Sequence, residues 1–233
     1  LLPVLAGTIS VAREAYAHTV TQAYDAARVA GSRAAGAILQ TLQQRELEVA
    51  LLSRQLELMP ASGTSAPGNA LGRFLAQHPG FLNVEITDAD GTILFSAPEA
   101  SAAGVRLAGR SLATRGYFAE ARDRRSLVWA PLILGTLHVR AVRGVEPVLV
   151  AAAPLFDASD SFRGVVVAAV DVSRTLSSAL PAREASSIRV TVLDSTGQVV
   201  FTENPRRRVG VGVGVPVAQA SGEDLEIRRI SYY

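Results

Sequence analysis

From Val84 to Ser96 the chain reads VEITDADGTILFS: apolar and polar residues alternate, the alternation breaks at Asp-x-x-Gly, and it then resumes. The pattern returns without a gap at Val190–Thr202, VTVLDSTGQVVFT. There Val84 meets Val190, Asp88 meets Asp194, Gly91 meets Gly197 and Phe95 meets Phe201. Alternation on both sides of such a break predicts two strands joined by a tight turn, with glycine taking the positive φ that the turn needs. The copies stand further apart than the roughly 20–50 residues of a solenoid unit. The repeat therefore predicts two copies of one small domain.

A different period precedes the first copy. From about Ser10 to Met59 there is no proline, and Gly31 and Gly36 are the only glycines. Ile38, Leu42, Val49, Leu52, Leu56 and Met59 recur at threes, fours and sevens, which marks one face of a long helix. Gln43, Gln44, Arg45, Glu48 and Arg54 are assigned to the opposite, polar face. The apolar stripe is expected to pack on its own domain, with weak dimerisation left to the N-terminal part. After the loop PASGTSAPG come a short helical stretch, LGRFLAQHP, the first hairpin and a helix in GRSLATRGYFAEARDRRS. Three strands follow, in LVWAPLI, PVLVAAAPLF and GVVVAAVDV. The last two are nearly continuous apolar runs, so both faces of their sheet should be covered. SRTLSSALPARE crosses to the second hairpin, a glycine-rich VGVGVGVPV and one more strand in DLEIRRI. The fold class is α+β, a long N-terminal helix followed by two domains with antiparallel five-stranded sheets, the second incomplete.

Composition narrows the chemistry. The chain has 233 residues, 48% apolar, enough for a real core. Cysteine is absent, which removes disulfides and thiolate ligands, and all 23 basic residues are arginine. Without lysine there is no phosphate-loop lysine, Schiff base or Ser-x-x-Lys nucleophile. No Gly-x-Ser-x-Gly elbow occurs, and His18, His78 and His138 have no partner at metal-ligand spacing. Gly210-x-Gly212-x-Gly214 has valines in its gaps and no helix pattern after it, so it is read as a strand or loop. Asp88-x-Asp90-Gly91 lacks the further ligands of a calcium loop and is read as a turn. A net charge of +2 and no basic run with interleaved aromatics give nucleic-acid binding little support, and no cofactor is expected. LLPVLAGTIS is too short to span a bilayer, which takes about 20 residues. It is read either as an ordinary helix start or as the outer end of a transmembrane helix, and both chain ends look cut.

GRSLATRGYFAEA, then VWAPL, VLVAAAPLFD and RGVVVAAVDVSRTL, resemble the double Cache sensor domain of bacterial transmembrane receptors. That resemblance implies a signalling helix at residues 1–60, a membrane-distal PAS-like sensor domain at 61–176 and a partial membrane-proximal one at 177–233. It implies a periplasmic module of an inner-membrane receptor, flanked by transmembrane helices and binding a small molecule. A sensor histidine kinase is the first expectation, with chemoreceptor and diguanylate cyclase as alternatives.

In members that bind amino acids, Arg-x-Trp-Tyr, a Tyr-x-Asp and a final Asp mark the site. Here Arg115 matches the arginine, Tyr117 and Phe118 the aromatic pair, and Asp171 the final aspartate. The Tyr-x-Asp is replaced by Leu132-Ile133-Leu134, which counts against an α-ammonium group and leaves an organic acid or amino acid held by its carboxylate. Arg110 and Arg115 suit a carboxylate through the guanidinium fork, although either could instead form a surface ion pair. Trp129 is read as core or as pocket wall, and Asp171 as ligand contact or helix cap. His138 and Arg140 are weaker candidates. Two rival readings remain: a module whose pocket is filled by its own side chains, serving structure or dimerisation, and an enzyme on a PAS-like scaffold.

Overall fold

The computed structural model describes residues 2–59, 65–101, 104–130, 133–135, 146–180, 190–193 and 199–203. The proline-free N-terminal run forms one helix, α1 (Leu2–Glu57), which Gly31 and Gly36 do not interrupt. At 56 residues it is about 84 Å long. No described helix is long and apolar enough to cross a membrane. A second helix, α2 (Ala66–Gln77), has Pro67 near its start, where a missing N–H leaves nothing unpaired. It ends at His78, ahead of Pro79, since a residue before proline is pushed out of helical conformation.

The first hairpin pairs β1 (Phe81–Thr87) with β2 (Ile93–Ala97). Helix α3 (Gly116–Arg124) follows, then the short strands β3 (Val128–Trp129) and β4 (Ile133–Gly135). The long strands β5 (Glu146–Phe156) and β6 (Phe162–Asp171) complete the sheet, and α4 (Val172–Ala179) leads away from it. The sheet is six-stranded, ordered β2-β1-β6-β5-β3, with β4 also paired to β5. The strand expected in LVWAPLI corresponds to β3 and the first residue of β4, both paired with β5, so the sheet has six described strands where five were expected. All pairings are antiparallel.

As the apolar runs require, both sheet faces are covered. On one, Val49, Leu52 and Leu56 of α1 and Leu71 and Phe74 of α2 meet Val84, Ile86, Val166, Ala168 and Val170. On the other, Leu112, Phe118 and Ala121 meet Ile93, Val150, Ala152, Val165, Val167 and Ala169. The helix stripe therefore packs as its spacing predicts. Gln43, Gln44 and Arg54 are exposed, as expected, but Arg45 and Glu48 are not. Their side chains are only 15% and 11% exposed and form an ion pair at 2.7 Å. Glu48 also meets His78 Nδ1 at 3.3 Å, and the Arg45 guanidinium lies over the Phe81 ring at 5.4 Å. The corner between α2 and β1 comes close enough to α1 to cover that flank.

The second hairpin pairs β7 (Thr191–Leu193) with β8 (Val199–Thr202) in a sheet of its own. Its register is Thr191↔Thr202, Val192↔Phe201 and Leu193↔Val199, with an irregularity between Val192 and Leu193. The first copy has Glu85↔Ser96, Ile86↔Phe95 and Thr87↔Ile93, with its irregularity between Ile86 and Thr87. Every described pair of the repeat is equivalent. Ala34 and Ile38 of α1 pack with Val172, Leu176, Val200 and Phe201, a separate core beneath the second hairpin. The glycine-rich segment and the strand expected in DLEIRRI lie outside the described residues.

Candidate functional site beneath helix α3

The face of the sheet under α3 carries the chemistry. Alternation along β1 sends Val84 and Ile86 to the α1 side, and Glu85 to the other with its register partner Val167 of β6. Ala169, the partner of Asn83, lies on that same side. On a sheet open to water such polar positions would be solvated. Here Glu85 is 2% and Asn83 4% exposed, on the face that α3 and the segment before it cover.

Backbone pairing holds that segment in place. Ile93 N donates to Arg110 O at 2.8 Å, Gly109 N to Ile93 O at 2.8 Å and Leu112 N to Gly91 O at 2.7 Å. Gly91 has φ +84°, and a side chain there would meet the Ala113 backbone, so its glycine serves both the turn and this close approach. Arg115 then stands at the N-cap of α3 in extended conformation, and Tyr117 falls in the first turn.

Asn83 Nδ2 donates to Glu85 Oε1 at 2.9 Å. Burial pushes the Glu85 carboxyl up to about 7, an effect that the Asn83 hydrogen bond and the Arg110 charge only partly offset. Burial first, and then the charge of Glu85, push the Tyr117 phenol up to about 12 against the opposing influence of Arg115. Glu85, Tyr117, Arg110 and Arg115 thus share one electrostatic neighbourhood. Arg110 and Arg115 are exposed at its rim and close no ion pair among the described residues. The arrangement is a buried carboxyl floor, a phenol wall and a cationic rim.

Three of the residues singled out in the sequence, Arg110, Arg115 and Tyr117, converge here. Arg115 does so from the exposed rim. The others do not converge. Phe118 is 2% exposed and meets Phe162 edge-on at 6.1 Å, so it belongs to the core below α3. Trp129 points to the opposite face of the sheet, where its Nε1 donates to Glu46 Oε2 at 3.3 Å. It cannot share a wall with Tyr117. Asp171 Oδ1 accepts from Arg174 N at 2.8 Å and caps α4. Asp88 Oδ1 accepts from Asp90 N and Thr92 N, which makes that motif a turn. His138 and Arg140 lie outside the described residues. No group of three or more His, Asp and Glu side chains is placed to hold a metal among the described residues.

Asn83 and Glu85 were missed because alternation alone reads them as a solvated face. A signal was present. The apolar runs of β5 and β6 already required cover on both faces, and a polar strand beside β6 would share that cover.

Neither a model of a known protein family nor a curated protein sequence matches the chain. Solved structures do match its fold. The ligand-binding domain of the Pseudomonas aeruginosa amino acid chemoreceptor PctC, in complex with GABA, is 19% identical with a TM-score of 0.56. The alignment covers 77% of this chain and 74% of that one. The ligand-binding domain of the Campylobacter jejuni chemoreceptor Tlp3, in complex with L-valine, is 13% identical with a TM-score of 0.57, over 77% and 72% of the two chains. The chain shares the fold of these chemoreceptor ligand-binding domains. The extracellular domain of rpHK1S-Z16, assigned as a histidine kinase, shares it at 20% identity and a TM-score of 0.58, over 80% and 72% of the chains. The sensor fold thus occurs in more than one receptor class.

Proposed function

We propose that this chain is the extracytoplasmic sensing module of a bacterial transmembrane receptor, and that it binds a small carboxylate-bearing molecule beneath α3. The observation that carries the reading is the rim of Arg110 and Arg115, which close no ion pair among the described residues, above a buried polar floor and beside the half-buried Tyr117. A guanidinium fork matches a carboxylate bidentately, and a partly dry setting strengthens the pairing. Sensor domains of the same fold hold GABA and L-valine, which supports an amino acid or organic acid here.

In this reading residues 1–60 form the signalling helix, 61–176 the membrane-distal sensor domain and 177–233 part of a membrane-proximal domain. The equivalent hairpins in separate sheets support that division. The module stands in the periplasm, carried by an inner-membrane receptor whose output we assign to a histidine kinase, with a chemoreceptor or diguanylate cyclase as the alternative. Ligand would shift the balance between two packings of α1, to the extent that it binds one better.

Arg115→Ala tests the site. Because Arg115 is exposed and closes no ion pair among the described residues, the variant should keep its stability within about 0.5 kcal/mol while losing binding. Calorimetric titration of both proteins with amino acids and organic acids reads the outcome. Unchanged affinity in the variant removes Arg115 from the site.

A further inference from the structure

The duplicated hairpin contains its own control. Glu85 and Ser96 face each other in the first copy, and their equivalents in the second are Thr191 and Thr202, whose hydroxyls meet at 3.0 Å. The same hairpin, with the same register and irregularity, is therefore built without a carboxylate at the position of Glu85. Folding does not require Glu85, and a buried carboxyl is unfavourable unless its charge is matched.

The groups around it do not match that charge. Asn83, on the same strand, donates one hydrogen bond and orients the carboxyl. Ser96, across on β2, donates instead to Pro98 O at 2.6 Å. Val167, across on β6, is apolar. Tyr117 of α3 is a neutral phenol, Arg110 acts from the exposed rim, and Arg115 bears on Tyr117. Among the described residues Glu85 forms no ion pair.

Resting on the sensing reading above, we propose that Glu85, supported by Asn83, selects the ligand: its carboxylate accepts an ammonium group on the sheet floor, and binding displaces the proton that Glu85 holds in the empty site. The ligand arrives as an ammonium ion, the Glu85 O–H bond breaks, the proton leaves to solvent, and an ion pair remains. The rim arginines take the carboxylate at the ligand's other end. Glu85 thus supplies from β1 the acceptor that the missing Tyr-x-Asp would have offered from the far edge of the sheet. Its carboxyl sits near 7, so about nine-tenths of sites are protonated at pH 6 and about one-tenth at pH 8.

The test is calorimetric titration of the 233-residue protein with GABA and L-valine, against their des-amino counterparts butyrate and isovalerate. Each is run at pH 6 and pH 8 in two buffers of different ionisation enthalpy. The amines should bind about tenfold more tightly at pH 8, with release of nearly one proton at pH 6. The des-amino acids should bind at least about tenfold more weakly, and Glu85→Gln should erase both the pH difference and the proton release. Should that variant fail to fold, the buffer and pH comparison on the unaltered protein decides alone. Equal binding of butyrate and GABA, or amine binding without proton exchange, overturns the role of Glu85 and leaves the sensing reading standing. Binding of none of the four overturns the proposed site altogether, and Glu85's role with it.

Discussion

Glu85 has a consequence for folding that is separate from any ligand. Its carboxyl is raised from an ordinary value of 4.5 to about 7, so the folded protein holds a proton that the unfolded chain releases. The stability associated with this group is fully present below about pH 4.5 and is lost as pH rises through 7. The difference corresponds to roughly 3 kcal/mol. Glu85→Gln should therefore be more stable than the parent at pH 8 by a margin approaching that figure, with little advantage at pH 4. Urea denaturation at the two pH values checks it, and a parallel pH dependence in both proteins would show Glu85 to be already matched. Single positions also show where pattern matching stops. Tyr117 and Phe118 are neighbours on a helix and point about 100° apart, so only one can face the site. Trp129 follows Val128 on a strand and must face the other side. Period arguments could have separated these pairs; the family pattern alone could not.

Helix α1 was legible as a helix with a buried stripe, because period and proline avoidance are local properties. Its polar flank was not. Arg45 and Glu48 were assigned to solvent, and the corner between α2 and β1 covers them. Gly80 lies so close that a Cβ there would stand 2.8 Å from Arg45 Nη2, and Arg45 Nε is buried without a partner. Removing one half of a largely buried pair leaves the other charge uncompensated. Glu48→Ala should therefore cost about 3 kcal/mol, whereas Gln44→Ala on the exposed face should stay within about 0.5. Chemical denaturation of the two variants separates the flanks. Equal small effects would place Arg45 and Glu48 back in solvent.

Across the molecule, α1 reaches two cores. Val49, Leu52 and Leu56 belong to the first sheet, while Ala34 and Ile38 meet α4 and the second hairpin. Phe201 is 8% exposed in that second core. Phe201→Ala should cost about 3–4 kcal/mol there. Amide exchange should accelerate across β7 and β8, while β5 and β6 keep their protection and the site beneath α3 keeps its ligand. Loss of protection in both sheets together would make them a single cooperative unit.

Everything governed by neighbouring residues was readable from the chain: the long helix, the two hairpins with their common register, the turn at Gly91, and strands needing cover on both faces. The cover itself comes from afar. The segment from Leu107 to Leu112 folds back along β2, and α3 packs on β5 and β6 with Tyr117 near Glu85, so Glu85 and Asn83 change from a solvated face into a buried floor. Asp171 becomes a cap because α4 turns at its carboxylate, and Arg45 turns inward because Gly80 and Phe81, at the corner between α2 and β1, arrive beside it. Alternation tells which side of a strand a residue takes. Only the packed chain tells whether that side meets water, and with it whether a carboxyl stays an ordinary acid or titrates near 7.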